Sequence, residues 1–266
     1  MRQLLKIFAA VAMCTVQGLA AVDFYDFHGR DFWLPAGEKA IFDFNKITVN
    51  GQLAIRSRYP FKIDPAKTYH LKMTLSGNEY EDTVAYIGFD PCDAKGASIP
   101  AWCWQTYNDT FTQVVRRATK GTYSLWVQDA SKWRKVNHSC VVAGAKKDFS
   151  DIPNKNLIAG TVSQIRQKGS IWEVVFSEPL RHTITAGTDV RQHSHGGYHY
   201  LGGANIKVPM NGTVIIDKKI KGYAPFGHYS SQQWPGNLRY AYLVILIDWT
   251  GTETSTIITE ASMTVE

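Results

Sequence analysis

Apolar and polar residues alternate strictly along several stretches of this 266-residue chain. In "KTYHLKMTLSG", Tyr69, Leu71, Met73 and Leu75 fall on one side of an extended segment, and His70, Lys72 and Thr74 fall on the other. That two-residue period is the mark of a half-buried strand. The same period groups Tyr123, Leu125 and Val127 in "TYSLWVQD", Trp172, Val174 and Phe176 in "IWEVVF", and Ile257 with its alternates in "STIITEASMTVE". "YAYLVILIDW" is apolar on both faces and predicts a central strand. Trp172 and Trp249 stand among apolar alternates and read as core. Turn chemistry lies between these runs, at Gly51, Gly77, Gly121, Gly212 and Gly236. No stretch carries a capped helical period, so the pattern predicts an all-β, two-sheet antiparallel sandwich. The polar segment 145–160 interrupts the pattern most. Neither half of the chain closes by itself around it, so it reads as a long crossover within a single domain spanning 21–266.

Charge and cysteine content change the picture mainly at the start of the chain. "MRQLLKIFAAVAMCTVQGLAAVDF" has Arg2 and Lys6, a short apolar run from Leu4 to Val16, and small residues at Gly18, Ala20 and Ala21. This is the layout of a signal peptide, here residues 1–20. Met13, beside Cys14, is bulkier than the residue that usually precedes a lipid-bearing cysteine. The run is shorter than the ~20 apolar residues of a membrane span, and no later segment is longer, so the expectation is an exported protein, secreted or periplasmic, with no membrane span. The leader removes two of the 29 basic residues and none of the 23 acidic ones, leaving a formal charge of +4. The basic residues are scattered in short pairs such as Arg116-Arg117 and Lys218-Lys219, which argues against nucleic acid as the main partner. In an oxidising compartment the turn-rich loop "PCDAKGASIPAWC" makes Cys92–Cys103 the expected disulfide, with Cys140 a buried thiol. The alternative is that all three are reduced and packed.

Candidate chemistry gathers in "GTDVRQHSHGGYHYLGG". In an extended strand Arg191, His193 and His195 project to one face and Val190, Gln192 and Ser194 to the other. Gly196-Gly197 breaks the strand, after which Tyr198 and Tyr200 share a face opposite His199. A guanidinium that can fork onto two hydroxyls, beside imidazole and phenol groups, suits a polar ligand. A solvated strand whose histidines bond their neighbours is the plainer alternative. Tryptophans add a second element. Trp126 lies on the polar side of its strand, Trp104 shares a face with Thr106 and Asn108, and Trp234 stands in the "QQWPGN" loop. Indole planes of this kind can stack on the C–H face of a sugar ring.

The pieces "FKIDPAKTYHLKMTLSG", "VAYIGFDPCDAKGASI", "WEVVFSEPLRHTITAGTDVRQHSHGGYHY", "QWPGNLRYAYLVILID" and "IITEASMTVE" cover most of the chain beyond the leader. In that order they resemble secreted jelly-roll domains of the galactose-binding, carbohydrate-binding-module type. The resemblance implies a non-catalytic glycan-binding protein and a structural calcium near the chain ends, where Glu260 is followed by Ala261 rather than a second acid. On this reading Arg191, His193 and Tyr198 orient hydroxyls while Trp104, Trp126 and Trp234 stack on rings. Gly187, His193 and His195 repeat the opening spacing of the cupin metal motif, which makes a cupin-like metal protein one alternative. Another is a jelly-roll polysaccharide lyase using Tyr198, His193 and Arg191. The last is a structural or protein-interaction sandwich. No carboxylates pair locally as glycoside hydrolysis requires, and no phosphate loop or Gly-x-Ser-x-Gly elbow is present.

Overall fold

A computed structural model describes residues 23–26, 39–43, 45–194, 196–201, 205–236, 238–249, 251 and 254–266. The predicted leader, Cys14 and His195 lie outside the described residues. The chain is all-β, with several antiparallel sheets and, among the described residues, no α-helix.

The first part of the chain supplies β1 (Asp23–Asp26), β2 (Ala40–Asp43), β3 (Lys46–Asn50), β4 (Leu53–Arg56), β5 (Phe61–Lys62), β6 (Thr68–Ser76) and β7 (Thr83–Cys92). The middle supplies β8 (Thr112–Gln113), β9 (Ser124–Val127), β10 (Ser139–Ala143), β11 (Leu157–Ala159), β12 (Val162–Lys168), β13 (Ile171–Phe176) and β14 (Asp189–Ser194). The last part supplies β15 (His199–Tyr200), β16 (Ile206–Val208), β17 (Thr213–Lys221), β18 (Tyr240–Ile247) and β19 (Ser255–Val265).

The outer thirds of the chain make the main sandwich. One sheet has the order β17-β6-β19-β3-β2, with β1 on β19; the other has the order β15-β7-β18-β4, with β16 on β7 and β5 on β18. Their inward residues close one apolar cluster. Tyr69, Leu71, Met73 and Leu75 come from β6 as the alternation predicts, and they meet Ala85, Ile87 and Phe89 of β7 and Ala241, Leu243, Ile245 and Ile247 of β18. On its outer face Val244 and Leu246 are also buried, flanked by Arg56 and Ala54 of β4 and by Gly88 and Tyr86 of β7. On β19 the buried set is Thr256, Ile258, Ala261, Met263 and Val265, with Ile257 half-buried on the opposite face. An irregularity in the pairing with β6 between Thr259 and Ser262 shifts the phase, with Glu260 at φ 52°.

Strands β8 to β14 lie between β7 and β15 and have their own core. The sheets β11-β10-β14-β8 and β12-β13-β9 enclose Leu125, Val127, Val141, Ile158, Val174, Phe176 and Val190. Every residue of β10 is buried, because one of its faces serves this second core and the other abuts the main sandwich.

Three expectations are corrected. Cys92, Cys103 and Cys140 are buried free thiols, so the expected Cys92–Cys103 bond is absent. The reason is directional: Cys92 sits opposite Tyr240 on the outer face of its sheet, whereas Cys103 belongs to the interior cluster. Trp249 is exposed, because the chain turns out of β18 at Asp248, which has φ 50°. Tyr123 is exposed too, since β9 begins one residue later.

Candidate functional site

The residues singled out in the sequence do not converge on one surface. Arg191 and His193 are wholly buried between the inserted unit and the main sandwich. The Arg191 guanidinium donates through Nε to His193 Nε2 at 3.0 Å, through Nη1 to the Lys146 carbonyl at 3.0 Å, and through Nη2 to Asp151 Oδ2 at 2.8 Å. It also lies 4.8 Å from the centre of the Phe149 ring. His193 Nδ1 donates to the Trp102 carbonyl at 2.6 Å. Both imidazole nitrogens are therefore engaged, and burial, then the Arg191 charge, hold the ring neutral down to a pKa of about 4. A ring bonded in this way has no lone pair left for a metal. Among the described residues no three His, Cys, Asp or Glu side chains gather where an ion could sit.

Trp104 and Trp234 are also interior, packed around His199 with ring centres 5.6 and 6.3 Å from it. Trp126 is half-buried on the outer face of the three-stranded sheet, with the Arg116 guanidinium 4.5 Å above its ring. Of the six predicted ligand residues, Tyr198 alone reaches the surface described next.

That surface is the outer face of the sheet β15-β7-β18-β4. Inward Ala85, Ile87 and Phe89 leave Tyr86, Gly88 and Asp90 pointing outward from β7. In the antiparallel register Tyr242 lies opposite Asp90, Tyr240 opposite Cys92, and Arg56 of β4 opposite Val244. Tyr200 lies opposite Gly88, and Tyr198 joins it on the same face, as the alternation around His199 predicts. Gly88 allows this arrangement: a Cβ there would stand 2.3 Å from the His199 carbonyl oxygen, so any larger residue would push β15 away.

The result is a field of five half-buried tyrosines around one ion pair. Arg56 Nη2 meets Asp90 Oδ2 at 2.8 Å, and its guanidinium lies 3.6 Å over the Tyr242 ring. The Ser98 hydroxyl donates to the other Asp90 oxygen, while Arg56 Nε has no hydrogen-bond partner. Tyr86 and Tyr200 have ring centres 5.3 Å apart, Tyr198 and Tyr200 6.1 Å apart, and the Tyr86 hydroxyl donates to Asn205 Oδ1. Burial raises the Asp90 carboxyl against the lowering effects of Ser98 and Arg56. Burial, helped by the Asp90 charge, raises Tyr198, and burial with three neighbouring tyrosines pushes Tyr200 up to about 12. These phenols are neutral hydrogen-bonding groups at ordinary pH.

Comparison with known proteins adds no assignment: no protein-family model, no curated protein and no solved structure matches the chain. Sequence reasoning missed Tyr86, Tyr240, Tyr242, Arg56 and Asp90. The available signal is the pair of tyrosines at two-residue spacing in "YAYLVILIDW", a stretch whose apolar remainder marks it as a central strand.

Proposed function

We propose that the chain is an exported, non-catalytic glycan-binding protein whose contact surface is the tyrosine face around Arg56 and Asp90. The observation that supports this reading is the composition of that face: phenol rings offer apolar planes, their hydroxyls offer donors and acceptors, and the Arg56–Asp90 pair fixes two charged partners without leaving a large net charge. A neutral saccharide is the ligand class this favours, because an acidic one would need an excess of cations that the face does not hold.

The test is affinity electrophoresis through gels containing neutral or acidic polysaccharides. Retardation is expected for the wild type in at least one neutral gel. Tyr242→Ala and Arg56→Ala should abolish it. Trp126→Ala, on a different sheet, should leave it unchanged. Failure of every polysaccharide to retard the wild type, or equal loss in all three variants, would refute the assignment.

A further inference from the structure

We propose that Cys103 and Cys140 form a disulfide under oxidising conditions and so tether the inserted unit to the main sandwich. Cys140 lies on β10 directly opposite His193 of β14. Directly opposed residues of an antiparallel pair point to the same side. Val141 and Ala143, on the face of β10 opposite Cys140, serve the second core, so Cys140 points toward the main sandwich. Cys103 belongs to the cluster of the main sandwich, on that side.

Two independent bridges hold the Cys103 segment against β10 and β14. His193, the partner of Cys140, donates to the carbonyl of Trp102, the residue before Cys103. Asn154 donates its backbone N–H to the Cys103 carbonyl at 2.8 Å and its side-chain amide to the Ala143 carbonyl at 3.0 Å, which links Cys103 to the same strand that carries Cys140. Both thiols are completely buried, and the Cys140 thiol senses the negative charge that Cys103 would carry on ionising. Cys92 has no such relation to Cys140: its surroundings are Asp90 and Arg56 on the outer face.

The reaction needs a two-electron oxidant, such as the disulfide of oxidised glutathione. One cysteine thiolate attacks glutathione sulfur and expels one glutathione thiolate. The second cysteine then attacks the mixed disulfide and expels the other. The Sγ–Sγ bond forms, both thiol protons end on the two glutathione thiols, and the glutathione disulfide is reduced. Because both thiols are completely buried, an oxidant cannot reach them in the finished fold, and closure belongs to folding.

The experiment is to refold the full chain in oxidised glutathione, block free thiols in denaturant and digest with trypsin. Cleavage after Lys72, Lys95, Arg116, Lys135 and Lys146 places Cys92, Cys103 and Cys140 on peptides 73–95, 96–116 and 136–146. The expected product joins 96–116 to 136–146 and leaves 73–95 blocked. Oxidised protein should melt roughly 5–10 °C above reduced protein. Cys103→Ser and Cys140→Ser should each remove that difference, and Cys92→Ser should keep it. A link between 73–95 and 96–116, or Cys92, Cys103 and Cys140 all blocked after refolding in oxidant, overturns the proposal. The peptide map of the wild type decides the matter even where a serine variant fails to fold.

Discussion

A guanidinium can only donate, and this fixes the chemistry around Arg191. His193 Nε2 must accept from it, so the imidazole proton sits on Nδ1, where it meets the Trp102 carbonyl. Asp151 completes the cluster. Burial raises its carboxyl, but hydrogen bonds from the Asn154 amide and the Lys146 backbone, together with the Arg191 charge, outweigh that and leave it lowered. Each charged group in this cluster is satisfied, and removing one partner exposes the cost of the other. Asp151→Asn should lose about 3–5 kcal/mol in urea unfolding, because it strands a buried cation. Pairing Arg191→Met with Asp151→Leu should cost much less. Glycan retardation by folded Asp151→Asn should match the wild type, since Arg191 lies away from the tyrosine face. A selective loss of binding would put Arg191 back among the ligand residues. Alternation placed Arg191 and His193 on one face of β14, as the structure has them. It does not say whether the face they share meets water or another part of the same chain, and here it meets the main sandwich.

At the level of strands, what was legible depended on whether local pattern alone set the environment. β6 could be read residue by residue, because one face is core and the other polar. β18 could be read as central, but its outward tyrosines could not be read as a site, since their neighbours Asp90 and Arg56 are brought in by strands far away in sequence. The 145–160 segment reads as a crossover from its polarity; it carries Phe149, Asp151 and Asn154 onto β14 and β10, contacts with no periodic signature. Close approach of β15 to β7 is the feature of the tyrosine face most open to test. Gly88→Ala places a methyl group where the His199 carbonyl stands. β15 must retreat, at a cost of about 1–3 kcal/mol, and it carries Tyr198 and Tyr200 with it. The expected result is a folded protein with reduced urea stability and weak or absent retardation in the gel that retains the wild type. Unchanged binding would show that β15 contributes nothing to the face.

For the molecule as a whole, two buried histidines make stability fall in acid, His193 beneath the inserted unit and His199 inside the main sandwich. His193 sits in the Arg191 cluster, and His199 sits among Trp104, Tyr229 and Trp234 with neither ring nitrogen completing a hydrogen bond. The Gln233 backbone leans toward His199, yet burial dominates and brings its pKa down to about 4, as it does for His193. In the unfolded chain both titrate near 6.5. As pH falls from about 6.5 toward about 4, the unfolded chain takes up protons that the folded one refuses, so stability declines across that window. Each ring contributes on the order of 3 kcal/mol to the decline. The two differ in how they can be relieved. A proton on His193 faces Arg191 but also Asp151, whereas the ring contacts of His199 are aromatic. His199→Phe removes two unpaired polar atoms and keeps a ring of similar shape, so stability at pH 7 should hold or rise and the acid-induced loss should shrink by about half. Urea midpoints of wild type and His199→Phe at pH 7, 5.5 and 4.5 measure this directly. If the two pH profiles run parallel, the acid sensitivity comes from groups other than His199, and the aromatic cluster of the main sandwich is not where protonation begins to unfold the protein.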